Sequence, residues 1–256
     1  MTEQQVTSSH EAPFLTAEWR HLALLNFEAD PNVLRPFLPE GTELDTWQGR
    51  TFVSLVGFLF LHARVWGVGI PFHRDFEEVN LRFYVRRKAD GEWRRGVVFI
   101  KELVPRVAIA WTAQVLYGET YLAARMRHRI EWEKESPARL RAVSYSWWFR
   151  GRENRMELSV VGAPQDPDPG SNEEFITEHY WGYARRRGGR TTEYRVEHPR
   201  WWVSTASAAR LDCDVAGVYG NQFVKFLTAP PASAFLAAGS EVRVFRGAFL
   251  PSGGRG

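Results

Sequence analysis

The sequence has little cysteine, little lysine and no long apolar run, and two of these shortages exclude classes of protein. Cys213 is the single cysteine of the 256 residues, so the chain can form neither an internal disulfide framework nor a cysteine-ligated zinc site. The longest apolar stretch, residues 52–70, is interrupted by His62 and Arg64 and is not the run of about 18 residues that a membrane-spanning helix needs. Only four of the 33 basic residues are lysine, a bias that we attribute to genome composition.

Motifs for common cofactors are also missing. The chain contains no phosphate-binding loop, nucleotide-binding glycine motif, nucleophile elbow or zinc-binding helix. Its seven histidines are scattered, without a pair at the spacing of metal ligands. We therefore predict neither a metal nor a cofactor. Residues 1–14 lack the basic and apolar regions of a signal peptide, which favours a cytoplasmic protein.

The charge pattern predicts no nucleic-acid partner, and the missing apolar run predicts no membrane partner. The 33 basic residues are interspersed with 30 acidic ones, which leaves a net charge of only +3. Basic residues cluster at 125–129 and 185–190. We interpret both clusters as solvated surface, with phosphate binding as the alternative.

The apolar spacing predicts a mainly β protein with a few short helices. No repeat or linker divides the chain, so we expect one β domain over residues 13–247, a barrel or curved sandwich that hides its strand edges. Residues 1–12 are expected to be a disordered tail and residues 248–256 a flexible one. The predicted strands cover residues 19–29, two strands within 42–66, 76–87, 93–104, 106–116, 123–132, 139–151, 155–165, 193–203, one or two within 217–229, and a short one near the end.

Capping residues predict the two helices. Asp30 is a good N-cap and Pro31 suits the first helical position, so a helix of about two turns follows and ends before Gly41. Ser171 or Asn172 can cap a second short helix that carries acidic residues in its first turn.

Residues 75–87, DFEEVNLRFYVRR, alternate between two kinds of side chain. Odd positions from Val79 to Val85 are apolar, whereas the even positions include Glu78, Asn80 and Arg82. This period of two predicts a strand with one face in a core. The polar face then looks either at water, where such a pair of charges contributes little, or into a polar pocket.

Two other side chains have both a structural and a functional interpretation. Lys101 lies in an apolar strand, where a lowered pKa would make it an amine nucleophile; we favour an outward-facing lysine instead. His198 either satisfies a strand end beside Trp201 and Trp202 or contributes to a ligand site.

Four segments, in order, resemble an uncharacterised bacterial family, the DUF2071 or YqjF-like proteins. The segments are WRHLALLNFEADPNVLRPFLPEGTELDTWQGRTFVSLVGF, FEEVNLRFYV, GVVFIKEL and FITEHYWGYARRRGGRTTEYRVEHPRWW. The resemblance covers about residues 13–226. The family looks like a branch of the acetoacetate decarboxylase-like superfamily, which implies a bent antiparallel sheet closed into a barrel around a ligand cavity.

The resemblance also implies functional positions. The decarboxylase arginine corresponds to Arg20 and its glutamate to Glu78, with Glu77 as a weaker choice. Tyr121 stands where the decarboxylase has the lysine that forms a Schiff base. Without that amine the known decarboxylation route is closed, whereas a tyrosine can donate a hydrogen bond or act as an acid.

Two functions therefore remain open. In the first, a cavity lined by Arg20, Asn80, Arg82 and His198 binds a small organic carboxylate or keto compound without turnover. In the second, the protein is a lyase- or hydrolase-like enzyme that acts on such a compound through Glu78 and Tyr121. The sequence does not decide whether the protein is an enzyme, nor its oligomeric state.

Overall fold

The structure, a computed structural model, describes residues 12–69, 74–105, 121–134, 139–186 and 188–251. The predicted strand at 106–116 and most of the predicted tails lie outside the described residues. Within them the chain is mainly β, as predicted. The strands are Leu15–Glu28 (β1), Glu43–Leu44 (β2), Phe52–Val65 (β3), Val68–Gly69 (β4), Phe76–Ala89 (β5), Glu92–Val104 (β6), Tyr121–Ala123 (β7), Arg125–Trp132 (β8), Leu140–Phe149 (β9), Arg152–Val160 (β10), Trp181–Arg185 (β11), Thr191–Glu197 (β12), Val203–Asp212 (β13), Ser233–Val244 (β14) and Ala248–Phe249 (β15).

Seven strands form a roughly closed ring. Their hydrogen-bonded order is β12-β11-β6-β5-β3-β1-β14, and β14 returns to β12 through the pairs Val196–Val244 and Glu197–Arg243. A second, antiparallel layer continues from β14 in the order β13-β10-β9-β8. Strand β14 therefore belongs to both the ring and the second layer, and it connects the two within one continuous sheet.

The long strand β1 bends where its pairing with β3 is irregular. The register shifts between Arg20 and Ala23, and His21 between them has a φ of 56°. A bulge of this kind adds a residue to one strand and increases its local twist. The bend lets β1 follow the curve of the ring, and it decides which β1 side chains face inward.

The two faces of β5 have different surroundings. Its odd side chains, including Leu81 and Phe83, pack in the core between the ring and the second layer, against Tyr145 and Trp147 of β9. Its even side chains point into the ring, where Tyr84 is part of a separate core. The predicted hairpin to β6 is confirmed: Asp90 and Gly91 have φ values of 52° and 85°, as a tight turn between twisted strands requires.

Both predicted helix starts are confirmed. The helix Pro31–Leu34 (α1) follows Asp30, whose side chain accepts a hydrogen bond from the Asn32 amide at 2.8 Å. The helix Asn172–Thr177 (α2) follows Ser171, whose hydroxyl accepts from the Glu174 amide at 3.1 Å. These caps satisfy backbone donors that a helix start leaves free.

Two predictions near the C-terminus were wrong. Residues 217–229 form helical turns, Val215–Val218 (α3) and Val224–Leu227 (α4), because Asp214 caps the first turn through the Gly217 amide at 3.0 Å. The short strand β15 pairs with β12, so the domain extends beyond residue 247 into the predicted tail. No helix in the described part of the chain is long and apolar enough to cross a membrane.

Candidate functional site

The ring encloses a cavity with mostly apolar walls. The cavity volume is about 50 Å³, and all the space between its walls, including the part that is open to solvent, is about 700 Å³. Among the described residues, the aromatic part of the lining consists of Trp19, Phe58, Phe60, Phe99, Trp181, Tyr194 and Trp201. Its polar part consists of Glu78, Asn80, Arg82, Thr177, His179 and His198. A pocket with a few convergent polar groups in apolar surroundings is the usual form of a small-molecule site.

Three consecutive even positions of β5 supply the polar row. Glu78 and Asn80 are each 2% exposed and Arg82 is 8% exposed. The Asn80 side-chain amide donates to Glu78 Oε1 at 2.9 Å. Side chains two residues apart share a strand face, so the alternation read from the sequence carries all three into the ring.

Several polar atoms of this row lack partners. Glu78 Oε2, Asn80 Oδ1 and Arg82 Nε are buried without a hydrogen bond to any described residue. Two further cavity-lining residues each have a buried polar atom without a hydrogen bond to any described residue, Trp19 at Nε1 and His179 at Nδ1. Buried polar groups in proteins are almost always hydrogen-bonded, so such a concentration in one cavity is unusual.

Burial raises the pKa of Glu78 to about 7. The hydrogen bond from Asn80 and the charge of Arg82 act in the opposite direction, but desolvation is the larger effect. The carboxyl group therefore changes its protonation state near neutral pH, and a group of this kind in a cleft is a candidate for acid-base chemistry or ligand recognition.

Tyr121 lies beside the polar row, packed against the core inside the ring, although it is not among the residues that line the cavity. Its hydroxyl donates to Glu102 Oε1 at 2.9 Å, and Glu102 is the cross-strand partner of Asn80. Burial, and then the charges of Glu102 and Glu78, raise the pKa of Tyr121 well above its ordinary value. The tyrosine therefore remains protonated at neutral pH and keeps its hydrogen to donate.

His198 lines the cavity and also has the structural contacts that the alternative interpretation required. Its ring stacks on Trp201 at 4.0 Å, and its Nδ1 lies 2.9 Å from the Pro199 carbonyl oxygen, to which it donates. Burial lowers the pKa of His198. The imidazole thus forms part of the aromatic wall.

Two residues considered in the sequence do not line the cavity. Arg20, which the resemblance placed at the site, is partly exposed and pairs with Glu18 at 2.7 Å, because it precedes the bulge of β1. Lys101 is the cross-strand partner of Leu81, whose side chain packs between the layers on the opposite face of the sheet. Lys101 therefore lies on the face of the sheet opposite the cavity.

His179 was missed in the sequence. It follows α2 in an irregular segment, where no periodic pattern indicates the direction of a side chain. Trp19 was missed for a related reason, since the bulge of β1 interrupts the alternation that would have placed it. The seven histidines are scattered along the sequence, so their spacing did not indicate that His179 lies at a site either.

The fold defines the class of protein. The enduracididine biosynthesis enzyme MppR in complex with pyruvate has a TM-score of 0.65 at 14% identity, covering 96% of this chain and 93% of that one. An acetoacetate decarboxylase from Legionella pneumophila has a TM-score of 0.62 at 13% identity, covering 98% and 92%. An acetoacetate decarboxylase-like enzyme from Sphingomonas wittichii RW1 has a TM-score of 0.63 at 13% identity, covering 98% and 99%. The protein thus has the acetoacetate decarboxylase-like fold.

Within that class the chain belongs to the DUF2071 family, described as an uncharacterized conserved protein, whose model matches residues 16–241. The protein YqjF of Bacillus subtilis strain 168, itself described as uncharacterized, is 27% identical over 198 residues, which is 74% of this chain and 75% of that protein. The resemblance read from the sequence is therefore confirmed.

Proposed function

We propose that the protein binds a small organic carboxylate or keto compound in the ring cavity, without Schiff-base chemistry. The observation that carries the proposal is the buried row of Glu78, Asn80 and Arg82, in which each side chain has an unpartnered polar atom among the described residues. A ligand that enters the cavity can satisfy these atoms.

Arg82 favours an anionic ligand. A buried cation is stable only when it is paired, and the raised pKa of Glu78 makes this neighbouring carboxyl an incomplete counter-charge at neutral pH. A carboxylate on the ligand would complete the pairing, and the planar guanidinium group matches its two oxygens. A keto oxygen would accept from the same donors more weakly.

Covalent catalysis through an amine has no support at this site. The described lining contains no lysine, and Lys101 faces the core between the layers. Tyr121 occupies the position that the resemblance assigns to the lysine. MppR and the decarboxylases share the fold, and two of the MppR complexes contain pyruvate or a condensation product of pyruvate. These complexes support a small keto acid as a ligand class to test here.

The pKa of Glu78 favours a second candidate function. A carboxyl with a pKa of about 7 is suited to general acid-base catalysis. Tyr121, whose hydroxyl donates to Glu102, is the second candidate for a proton donor in this function. The protein would then be an enzyme that acts on the same class of ligand.

A thermal-shift screen of small carboxylates and keto acids tests the binding proposal. A ligand should raise the Tm of the wild type but not that of Arg82→Gln. Arg86→Gln is a matched control on the same strand, because Arg86 pairs with Glu43 at 2.7 Å outside the cavity. A ligand that stabilises Arg82→Gln as much as the wild type would contradict the proposal.

Turnover separates the two functions. Each stabilising ligand is incubated with the wild type and with Glu78→Gln, and its NMR spectrum is followed over time. Conversion by the wild type that Glu78→Gln abolishes, with a pH dependence near 7, would favour the enzyme. Binding without conversion at any pH would favour the binding protein.

A further inference from the structure

His179 is a buried imidazole held in one orientation inside the cavity wall. Its side chain is 2% exposed. The ring packs on Tyr84 at 4.6 Å and against the edge of Phe175 at 5.5 Å. Its Nε2 lies 3.5 Å from Asp45 Oδ2, and Arg95 Nε in turn donates to that oxygen at 2.6 Å. These contacts direct one nitrogen toward the carboxylate and leave the other unpaired.

The contacts of His179 Nε2 determine whether Nδ1 is a hydrogen-bond donor or an acceptor. A carboxylate beside Nε2 favours the proton on that nitrogen. Arg95 Nη2 lies 3.4 Å both from Nε2 and from the carbonyl oxygen of Phe175. An Nε2 that carries its proton beside Asp45 Oδ2 leaves this guanidinium donor to the carbonyl oxygen. Burial lowers the pKa of His179 to about 4, so the ring is neutral at pH 7. Nδ1 is then an acceptor, without a partner among the described residues.

Asn80 presents a second acceptor. Its Nδ2 donates to Glu78 Oε1, which fixes the orientation of the amide and leaves Oδ1 as the unpaired atom. The cavity also contains the unpaired donors Arg82 Nε and Trp19 Nε1. A ligand that carries only acceptors can satisfy the donors but not Nδ1 of His179 or Oδ1 of Asn80.

We propose that the preferred ligand is a hydroxy acid, a carboxylate that carries a hydroxyl group near its acid group, and that His179 selects the hydroxyl. This inference rests on the proposed function and narrows its ligand class. The carboxylate accepts from Arg82, and the hydroxyl hydrogen is donated to Nδ1 of His179. A keto acid has a carbonyl oxygen at the same place, so two lone pairs would face each other and the buried nitrogen would stay unpaired.

Isothermal titration calorimetry with matched acids tests the inference on the wild type. Lactate, pyruvate and propionate share one skeleton, and mandelate, phenylglyoxylate and phenylacetate share a larger one that covers a different ligand size. We expect the hydroxy acid of at least one set to bind about tenfold tighter than its keto and unsubstituted counterparts, the size expected for a buried acceptor left unpaired.

Two variants identify the residue that selects the hydroxyl. His179→Phe keeps the ring contacts and removes Nδ1, so the preference should fall to about threefold or less while the affinity for the keto acid is unchanged. His128→Phe is the matched control, because His128 pairs with Glu77 outside the cavity lining. If His179→Phe does not fold, Asn80→Leu, which removes the other acceptor, should reduce the same preference.

The outcomes separate this inference from the proposed function. Keto and hydroxy acids that bind equally well, both weakened by Arg82→Gln, would overturn the hydroxyl preference and leave the binding proposal intact. A preference that persists in a folded His179→Phe variant would overturn the role of His179, whatever Asn80→Leu shows. Failure of every acid to bind would overturn the proposed function itself.

Discussion

Replacing Glu78 by glutamine should stabilise the protein at alkaline pH, although Glu78 is central to the candidate site. Glutamine has nearly the same shape and can still accept the hydrogen bond from Asn80, but it carries no charge. The substitution therefore removes the unfavourable burial of a carboxylate and retains its neighbours.

The pKa of Glu78 sets the magnitude and the pH range. It is about 7 in the folded protein and 4.5 in a solvated glutamate. Below pH 4.5 Glu78 carries its proton in both the folded and the unfolded chain, and the contribution of this neutral carboxyl to the free energy of unfolding is fully present. That contribution is lost as the pH rises through 7, because the folded chain then holds a buried charge. At 1.36 kcal/mol per pH unit the loss amounts to about 3 kcal/mol.

Thermal unfolding at pH 5 and at pH 8 measures the effect. Glu78→Gln should resemble the wild type at pH 5 and exceed its Tm by roughly 6–12 °C at pH 8. The control is Glu77→Gln on the same strand. The hydrogen bond from His128 lowers the pKa of Glu77, so its contribution is present at neutral pH and lost in acid. Glu77→Gln should therefore destabilise the protein, most clearly above pH 5.

A Glu78→Gln variant whose stability relative to the wild type does not change between pH 5 and pH 8 would refute the reasoning. It would mean that the carboxyl is already ionised and well solvated in the folded chain. The cavity would then be wetter than the positions of its side chains imply, and the argument that Arg82 lacks a full counter-charge would also fail.

Three further predictions concern the surroundings of the cavity. Gly57→Ala should lower the free energy of unfolding in urea by about 1–3 kcal/mol, since its Cβ would lie 2.5 Å from the Tyr145 ring; an unchanged midpoint would contradict the packing of the two layers. Lys101→Met should leave ligand-induced shifts in Tm unchanged. Borohydride, which reduces a Schiff base to a stable amine, should not increase the mass of the wild type when it is added with pyruvate. A trapped adduct would contradict the absence of Schiff-base chemistry. The NMR signals of His179 should stay at their neutral positions down to about pH 5, and titration near pH 6.5 would show that the ring is solvated.

The faces of β5 could be predicted from the sequence because a strand alternates its side chains whatever it packs against. The hairpin turn at Asp90-Gly91 and the caps Asp30 and Ser171 were predictable for a similar reason, since each is satisfied by residues nearby in the chain. The helical turns after Asp214 were misread because short apolar runs fit both periods, and the cap was overlooked.

Other features depend on residues distant in the chain. Strand β14 was only partly anticipated, and its pairing with β1, β12 and β13, which closes the ring, has no local signature. Arg20 pairs with Glu18 just before the bulge of β1, so its side chain is not among the residues that line the cavity. Arg20 could therefore not be placed correctly without the pairing of β1.

The sequence by itself determined that Glu78, Asn80 and Arg82 share one strand face. It also determined the resemblance to a β-rich family, with Tyr121 of this chain standing where the decarboxylases have their lysine. Only the tertiary structure decided that this face looks into a cavity rather than into water, and that His179 lies in the same wall. Alternation along a strand is a local property of the backbone. Burial depends on which distant strands close the ring, and burial is what raises the pKa of Glu78 and leaves the polar atoms of the row without partners.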